Sequence, residues 1–201
     1  MKNSDPVYVL GPGGQYNHMI CRRVAELGYR VSLRALDIDL GREPRGLALI
    51  IGGGPGSLAA LERESEEKKA RLLGFIRELD LPTLGICYGH QLIAWACGGE
   101  VRHALRPEFG PVEVTVVRED PLFKGVPSSF TAWLSHNDEV IRLPPDFVIL
   151  AESPRTMVQA FRHESRALYG VQFHAEVEHT NYGREILGNF LQIAEAANQK
   201  S

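Results

Sequence analysis

The chain has 201 residues, 44% of them hydrophobic and 23% charged, with a formal net charge of −3. That balance suits one globular domain spanning 1–201, its core expected from about 6 to 196. It lacks the basic excess of a nucleic-acid binder. Three cysteines (Cys21, Cys87 and Cys97) are too few for a disulfide scaffold and fit a reducing cytoplasm. No apolar stretch approaches the ~18 residues of a membrane helix, and the N-terminus has no signal-peptide pattern. A cytoplasmic, single-domain protein is expected, with no membrane and no nucleic acid among its partners.

Val7 to Leu10 is an apolar run closed by Gly11, Pro12, Gly13 and Gly14, which predicts a buried strand and a turn. Ile20, Val24 and Leu27 then recur at helical spacing up to Gly28. Tyr29, Val31 and Leu33 alternate with Arg30, Ser32 and Arg34, the period of a strand with one wet face. Leu47 to Ile51 is a third apolar run, ending in Gly52-Gly53-Gly54-Pro55-Gly56. From Ser65 to Leu79 a helix is predicted, with Leu72, Leu73, Ile76 and Leu79 on its apolar side; the charged run Glu62 to Arg71 reads as its solvated face. Pro82 to Ile86 is a short strand that passes directly into a helix from Cys87 to about Cys97.

Strands alternating with helices in this way predict an open, mostly parallel twisted sheet with helices on both faces. The second half changes rhythm. Val112 to Val117 and Phe147 to Ala151 read as additional, partly antiparallel strands, and a final helix is expected from about Asn181 to Ala196.

Gly85-Ile86-Cys87-Tyr88-Gly89-His90-Gln91 carries the strongest chemical signal. A strand meets a helix at a cysteine with a glycine two positions to either side, the steric plan of a nucleophile elbow. A lone cysteine is ordinarily a small buried hydrophobe. At an elbow, the positive helix N-terminus favours the thiolate, and its free N–H groups face a developing oxyanion. Such a nucleophile needs a base and an orienting group. His174 lies just past the apolar strand Gly170 to Phe173, and Glu176 two residues on shares its side of an extended chain. His90 sits one helical turn from Cys87 but lacks a carboxylate partner and is read as a packing or helix-surface residue; His103 and His163 read as structural or exposed. No histidine and cysteine set has metal-ligand spacing, so no metal site is expected. The Gly52 to Gly56 loop is either a plain turn or a backbone donor completing an oxyanion hole beside Tyr88.

Together, GGGPGS at Gly52 to Ser57, GICYGHQ at Gly85 to Gln91 and YGVQFHAEVEHT at Tyr169 to Thr180 resemble the class I (triad) glutamine amidotransferases, a flavodoxin-like family, over nearly the whole chain. GGQYNHMI at Gly13 to Ile20 and SHNDEV at Ser135 to Val140 are similar to the separate glutaminase subunit of two-subunit GMP synthases. The resemblance implies Cys87, His174 and Glu176 as triad and L-glutamine as substrate. Glutamine contacts are implied at Gly54, Gly56, Tyr88, Gln91, Ser135, His136, Asn137 and Asp138. It also implies a ligase system of GMP and purine biosynthesis in which this chain holds no cofactor. ATP and Mg would be used by a separate ATP pyrophosphatase subunit, the chain itself leaving no room for that chemistry.

Three positions depart from the family pattern. Ala175 stands where proline usually separates the histidine and glutamate, with looser Glu176 geometry expected; Gly52 replaces a common serine, and Asn137 falls at a variable position. The glycine loop and Ala175 together suggest a site that the synthetase partner completes. Competing readings are the glutaminase component of anthranilate or aminodeoxychorismate synthase, a stand-alone γ-glutamyl peptidase, and a non-catalytic binding module on the same fold.

Overall fold

The computed structural model describes residues 5–36, 45–54, 58 and 65–199. Nine strands form one sheet in the order β2-β1-β3-β4-β9-β8-β7-β5-β6. The first five in that order are parallel: β2 (Val31–Ala35), β1 (Val7–Gly11), β3 (Ala48–Ile51), β4 (Thr83–Ile86) and β9 (Leu168–Val171). Antiparallel pairing then adds β8 (Ala160–His163), β7 (Phe147–Glu152), β5 (Glu100–Val116) and β6 (Ser129–Arg142).

The unbroken apolar runs of β1, β3 and β4 follow from coverage on both faces. On one side Val7, Val9, Ile50, Leu84 and Ile86 pack with α1 (Asn17–Glu26) and α4 (Gly183–Asn198), through Ile20, Val24, Ile186 and Phe190. On the other, Leu10, Leu49 and Ile51 pack with α2 (Glu66–Arg77) and α3 (Tyr88–Ala96), through Ile76, Leu92 and Ile93. Alternate residues of each strand therefore serve opposite layers.

Two expectations change at the margins. Leu33 is 53% exposed because β2 is the sheet edge, so the alternation there does not mark a covered face. The strand expected at Val112 to Val117 is the end of a much longer β5, whose register with β6 shifts between His103 and Glu108. Ile76 on α2 and Leu79 just past its end are buried, Leu72 and Leu73 are only partly so, and Glu66, Glu67 and Arg71 face solvent. The earlier part of that charged run lies outside the described residues.

Order reverses beside β1: β2 lies on one flank and β3 on the other. In open α/β sheets, ligands bind at the carboxyl ends of strands at such a point. The chain leaving β1 enters the Gly11 to Gly14 turn, and that leaving β3 enters Gly52 to Gly54. From β4 the chain passes directly into Cys87.

Candidate active site

Cys87 takes φ 54° and ψ −104°, a strained conformation for a residue with a Cβ. Its backbone N–H donates to the Val171 carbonyl at 2.9 Å, and its carbonyl accepts from Gln91 N–H at 3.2 Å. The neighbouring glycines are steric requirements. A Cβ on Gly85 would overlap the Gly89 backbone, and one on Gly89 would overlap the Ile51 carbonyl. Strand, helix and β3 approach too closely for any side chain at either position, which leaves Cys87 held at the junction. No side chain caps α3, so the N–H groups of its first turn are free to meet an anion.

His174 follows β9 and lies against Cys87, with its Nδ1 2.7 Å from Glu176 Oε1. Both are buried, at 4% and 0% exposure. Burial alone disfavours the charged ring, but hydrogen bonds to Cys87 and Glu176, and their charges, outweigh it and raise the His174 pKa to about 10. The Tyr16 ring meets His174 edge-on, with centroids 5.1 Å apart.

Ala175 does not loosen this arrangement. Thr180 Oγ1 donates to the His174 carbonyl at 2.6 Å and accepts from Trp133 N–H at 2.9 Å. The His174 N–H in turn donates to the Trp133 carbonyl at 2.9 Å, and Arg23 Nε to the Glu176 carbonyl at 3.2 Å. Contacts with β6 and α1 thus supply the restraint that proline would give through φ.

A cavity of about 490 Å³ opens in front of Cys87 and His174, lined also by Gly54, Tyr88, Gln91 and the strip Ser135 to Asp138 of β6. The strip's residues are not equivalent. Asn137 is exposed at the rim, whereas His136 and Asp138 are buried. The Ser135 carbonyl lies 3.8 Å from Cys87 Sγ. Gln91, expected to touch substrate, directs its Nε2 at the Asp138 carbonyl (2.8 Å) and Gln172 Oε1 (3.1 Å), so its amide donors are used to hold the strip. Tyr88 is buried, which pushes its phenol up to about 12 and keeps it neutral. Gly56 and Ser57 lie outside the described residues.

Beneath the strip is a group that no local sequence pattern reveals. His136 Nδ1 donates to the Asp138 carbonyl at 2.9 Å, and its Nε2 lies 3.2 Å from Glu108 Oε2. Glu108, 1% exposed, also accepts from Ser153 (2.9 Å), Thr156 (2.8 Å) and Gln159 (2.9 Å). Burial pushes its pKa up, yet these hydrogen bonds and His136 outweigh that and hold it below the usual carboxylate range. Gln172, whose amide points at Cys87 Sγ from 3.8 Å, is a second residue of the site that sequence reasoning missed. Of the other histidines, His90 is fully buried against Phe161 with its pKa pushed down to about 3 by burial. His103 is mostly exposed beside Asp138, and His163 accepts N–H bonds from Ser165 and Arg166. Among the described residues, no group of three or more His, Cys, Asp or Glu is arranged to hold a metal, and no helix is long and apolar enough to cross a membrane.

The family model for glutamine amidotransferase class-I matches residues 9–194. This chain belongs to the class I glutamine amidotransferases. Among its amidotransferase relatives, one component of the glutamine-hydrolysing GMP synthase of Sulfolobus acidocaldarius is 41% identical over 187 residues, covering 93% of this chain and 97% of that protein. The glutamine-hydrolysing GMP synthase of Aeropyrum pernix is 44% identical over 197 residues; this chain spans 37% of that protein's length. The crystal structure of a GMP synthase subunit from Thermoplasma acidophilum superposes with a TM-score of 0.90 at 37% identity, each chain wholly covered.

Proposed function

We propose that this amidotransferase hydrolyses the side-chain amide of L-glutamine and delivers the ammonia to a separate ATP pyrophosphatase subunit that aminates XMP to GMP. The observation that carries the hydrolysis is the line from Cys87, on its strained elbow, through His174 to Glu176. The acceptor rests on the relatives named as subunits of GMP synthase, which this chain covers almost end to end.

Cys87 thiolate attacks the amide carbon, and the carbonyl π-electrons move onto oxygen. Backbone N–H groups of Gly54 and Tyr88 take up that charge, worth about 10²–10³ in rate per donor. The tetrahedral adduct collapses with cleavage of its C–N bond, and His174 gives its proton to the departing nitrogen, leaving a glutamyl thioester and ammonia. His174, now neutral, takes a proton from water as the water adds to the thioester. The C–S bond then breaks, releasing glutamate and returning thiolate and imidazolium. Glu176 fixes the His174 tautomer and stabilises the imidazolium, the role of the carboxylate in other nucleophile–histidine–acid sets. The backbone of the Ser135 to Asp138 strip, held by Gln91 and by the Glu108 group, would hold the amino-acid end of glutamine.

In this reading the chain itself carries no cofactor; ATP and Mg serve the partner, and the system works in the cytoplasm. Ammonia release from glutamine, assayed with and without the ATP pyrophosphatase subunit, XMP and ATP, tests it. Turnover that rises with partner and acceptor is the expected result. A chain that releases no ammonia under either condition would refute it.

A further inference from the structure

The Gly11 to Asn17 turn packs closely against the Gly52 to Gly54 loop. Asn17 opens α1 but is 6% exposed, and its side chain threads between the two loops. Its Nδ2 donates to the Gly14 carbonyl at 3.0 Å and to the Gly53 carbonyl at 3.2 Å. A Cβ on Gly14 would overlap the Gly53 carbonyl, and one on Gly52 would overlap Asn17 Oδ1. The Gly53 Cα faces the site: a Cβ there would come within 3.2 Å of His174 Cε1 and 3.8 Å of Cys87 Cβ.

The Gly53 carbonyl belongs to the same peptide as the Gly54 N–H. In a trans peptide the two point in opposite directions, so fixing one fixes the other. A peptide between two glycines has little intrinsic preference against turning over. We propose that Asn17 is a positioning residue for the oxyanion hole: by holding the Gly53 carbonyl it keeps the Gly54 N–H directed at the oxygen of the tetrahedral intermediate. The inference rests on the glutaminase reading above. It gives the GGQYN segment a mechanical role, since Gly14 makes room for the Gly53 peptide, Asn17 clamps it, and Tyr16 between them buttresses His174.

The test uses the complete chain with the ATP pyrophosphatase subunit, XMP and ATP, and compares wild type with Asn17→Ala and Asn17→Asp. Two reactions of Cys87 are measured. Glutamine hydrolysis builds an oxyanion; alkylation by iodoacetamide is a displacement at carbon and builds none. Both are measured in a Cys21→Ala, Cys97→Ala background, which leaves Cys87 as the labelled thiol. Loss of the clamp should lower kcat for glutamine by about 10²-fold, in keeping with removal of one oxyanion donor. KM and the alkylation rate should stay near wild type. Asn17→Asp should fall at least as far, because it sets a carboxylate against two carbonyl oxygens. Gly14→Ala would push on the same Gly53 carbonyl and should give the same split, which keeps the test decisive should Asn17→Ala fold poorly. A parallel loss of alkylation and hydrolysis would show that Asn17 merely supports the Cys87–His174 pair, and hydrolysis near wild type would show that the peptide needs no clamp; either overturns the proposal. Failure of the wild-type complex to hydrolyse glutamine would instead overturn the function itself, and this inference with it.

Discussion

Thr180 holds His174 from behind: its hydroxyl donates to the His174 carbonyl at 2.6 Å while accepting the Trp133 N–H at 2.9 Å. This single side chain ties the base's backbone to β6, and it explains why alanine suffices between His174 and Glu176. Thr180→Val should leave one buried N–H and one buried carbonyl short of a partner, costing about 1–3 kcal/mol of stability. Glutaminase kcat should fall as the His174–Glu176 geometry relaxes. Ala175→Pro, by contrast, should leave kcat unchanged, because the segment is already restrained. Steady-state kinetics with thermal denaturation check both; a large gain from Ala175→Pro would show that the loop is loose after all.

The raised pKa of His174 has two sources, and only one survives removal of the cysteine. In Cys87→Ala the hydrogen bond and charge from sulfur vanish while those from Glu176 remain, so the ring should titrate well below its wild-type value of about 10. A raised folded-state pKa stabilises fully below the ordinary histidine value of about 6.5, and that contribution is lost as pH rises through the folded-state pKa. NMR titration of the His174 ring in both proteins measures this. Equal values would mean that His174 does not sense Cys87.

Glu108 is a buried charge with four side-chain partners, from His136, Ser153, Thr156 and Gln159. Glu108→Ala takes the shared acceptor from His136 and Thr156, leaving Ser153 and Gln159 only their contacts with the Thr156 carbonyl and Ser153 Oγ, and should cost about 3–5 kcal/mol. For a domain of this size, that is a fall in Tm of about 6–20 °C. The milder Glu108→Gln should keep the fold and raise KM for glutamine as the His136 strip loosens. A thermal melt and a KM measurement decide it, and a Glu108→Ala protein as stable as wild type would contradict the reading.

The elbow is legible in sequence because its glycines sit at fixed offsets from Cys87, and those offsets express backbone contacts that no other residue tolerates. His174 and Glu176 are legible for a similar reason: an i, i+2 pair on an extended segment needs no tertiary information. The Glu108 group is not, since its partners lie 28 to 51 positions away and none forms a local pattern. Most of β5 escapes a sequence reading because Pro107, Gly110 and Pro111 look like turn residues, yet Pro107 falls in the register break between His103 and Glu108, and Gly110 and Pro111 lie where the strand pairs with β6 alone. The SHND strip looks too polar for a strand. Its pleat turns His136 and Asp138 inward, where Glu108 meets the His136 ring, Gln91 the Asp138 carbonyl and His103 the Asp138 carboxylate.

The central claim is that ammonia made at Cys87 feeds amination in a separate polypeptide. It is tested most directly by GMP formation in the reconstituted pair, with wild type or Cys87→Ala, supplied with either glutamine or ammonium. The Cys87→Ala pair should lose glutamine-dependent GMP formation and keep the ammonium-dependent rate, while Cys21 and Cys97 variants keep both. A Cys87→Ala pair that still made GMP from glutamine at most of the wild-type rate would contradict the account.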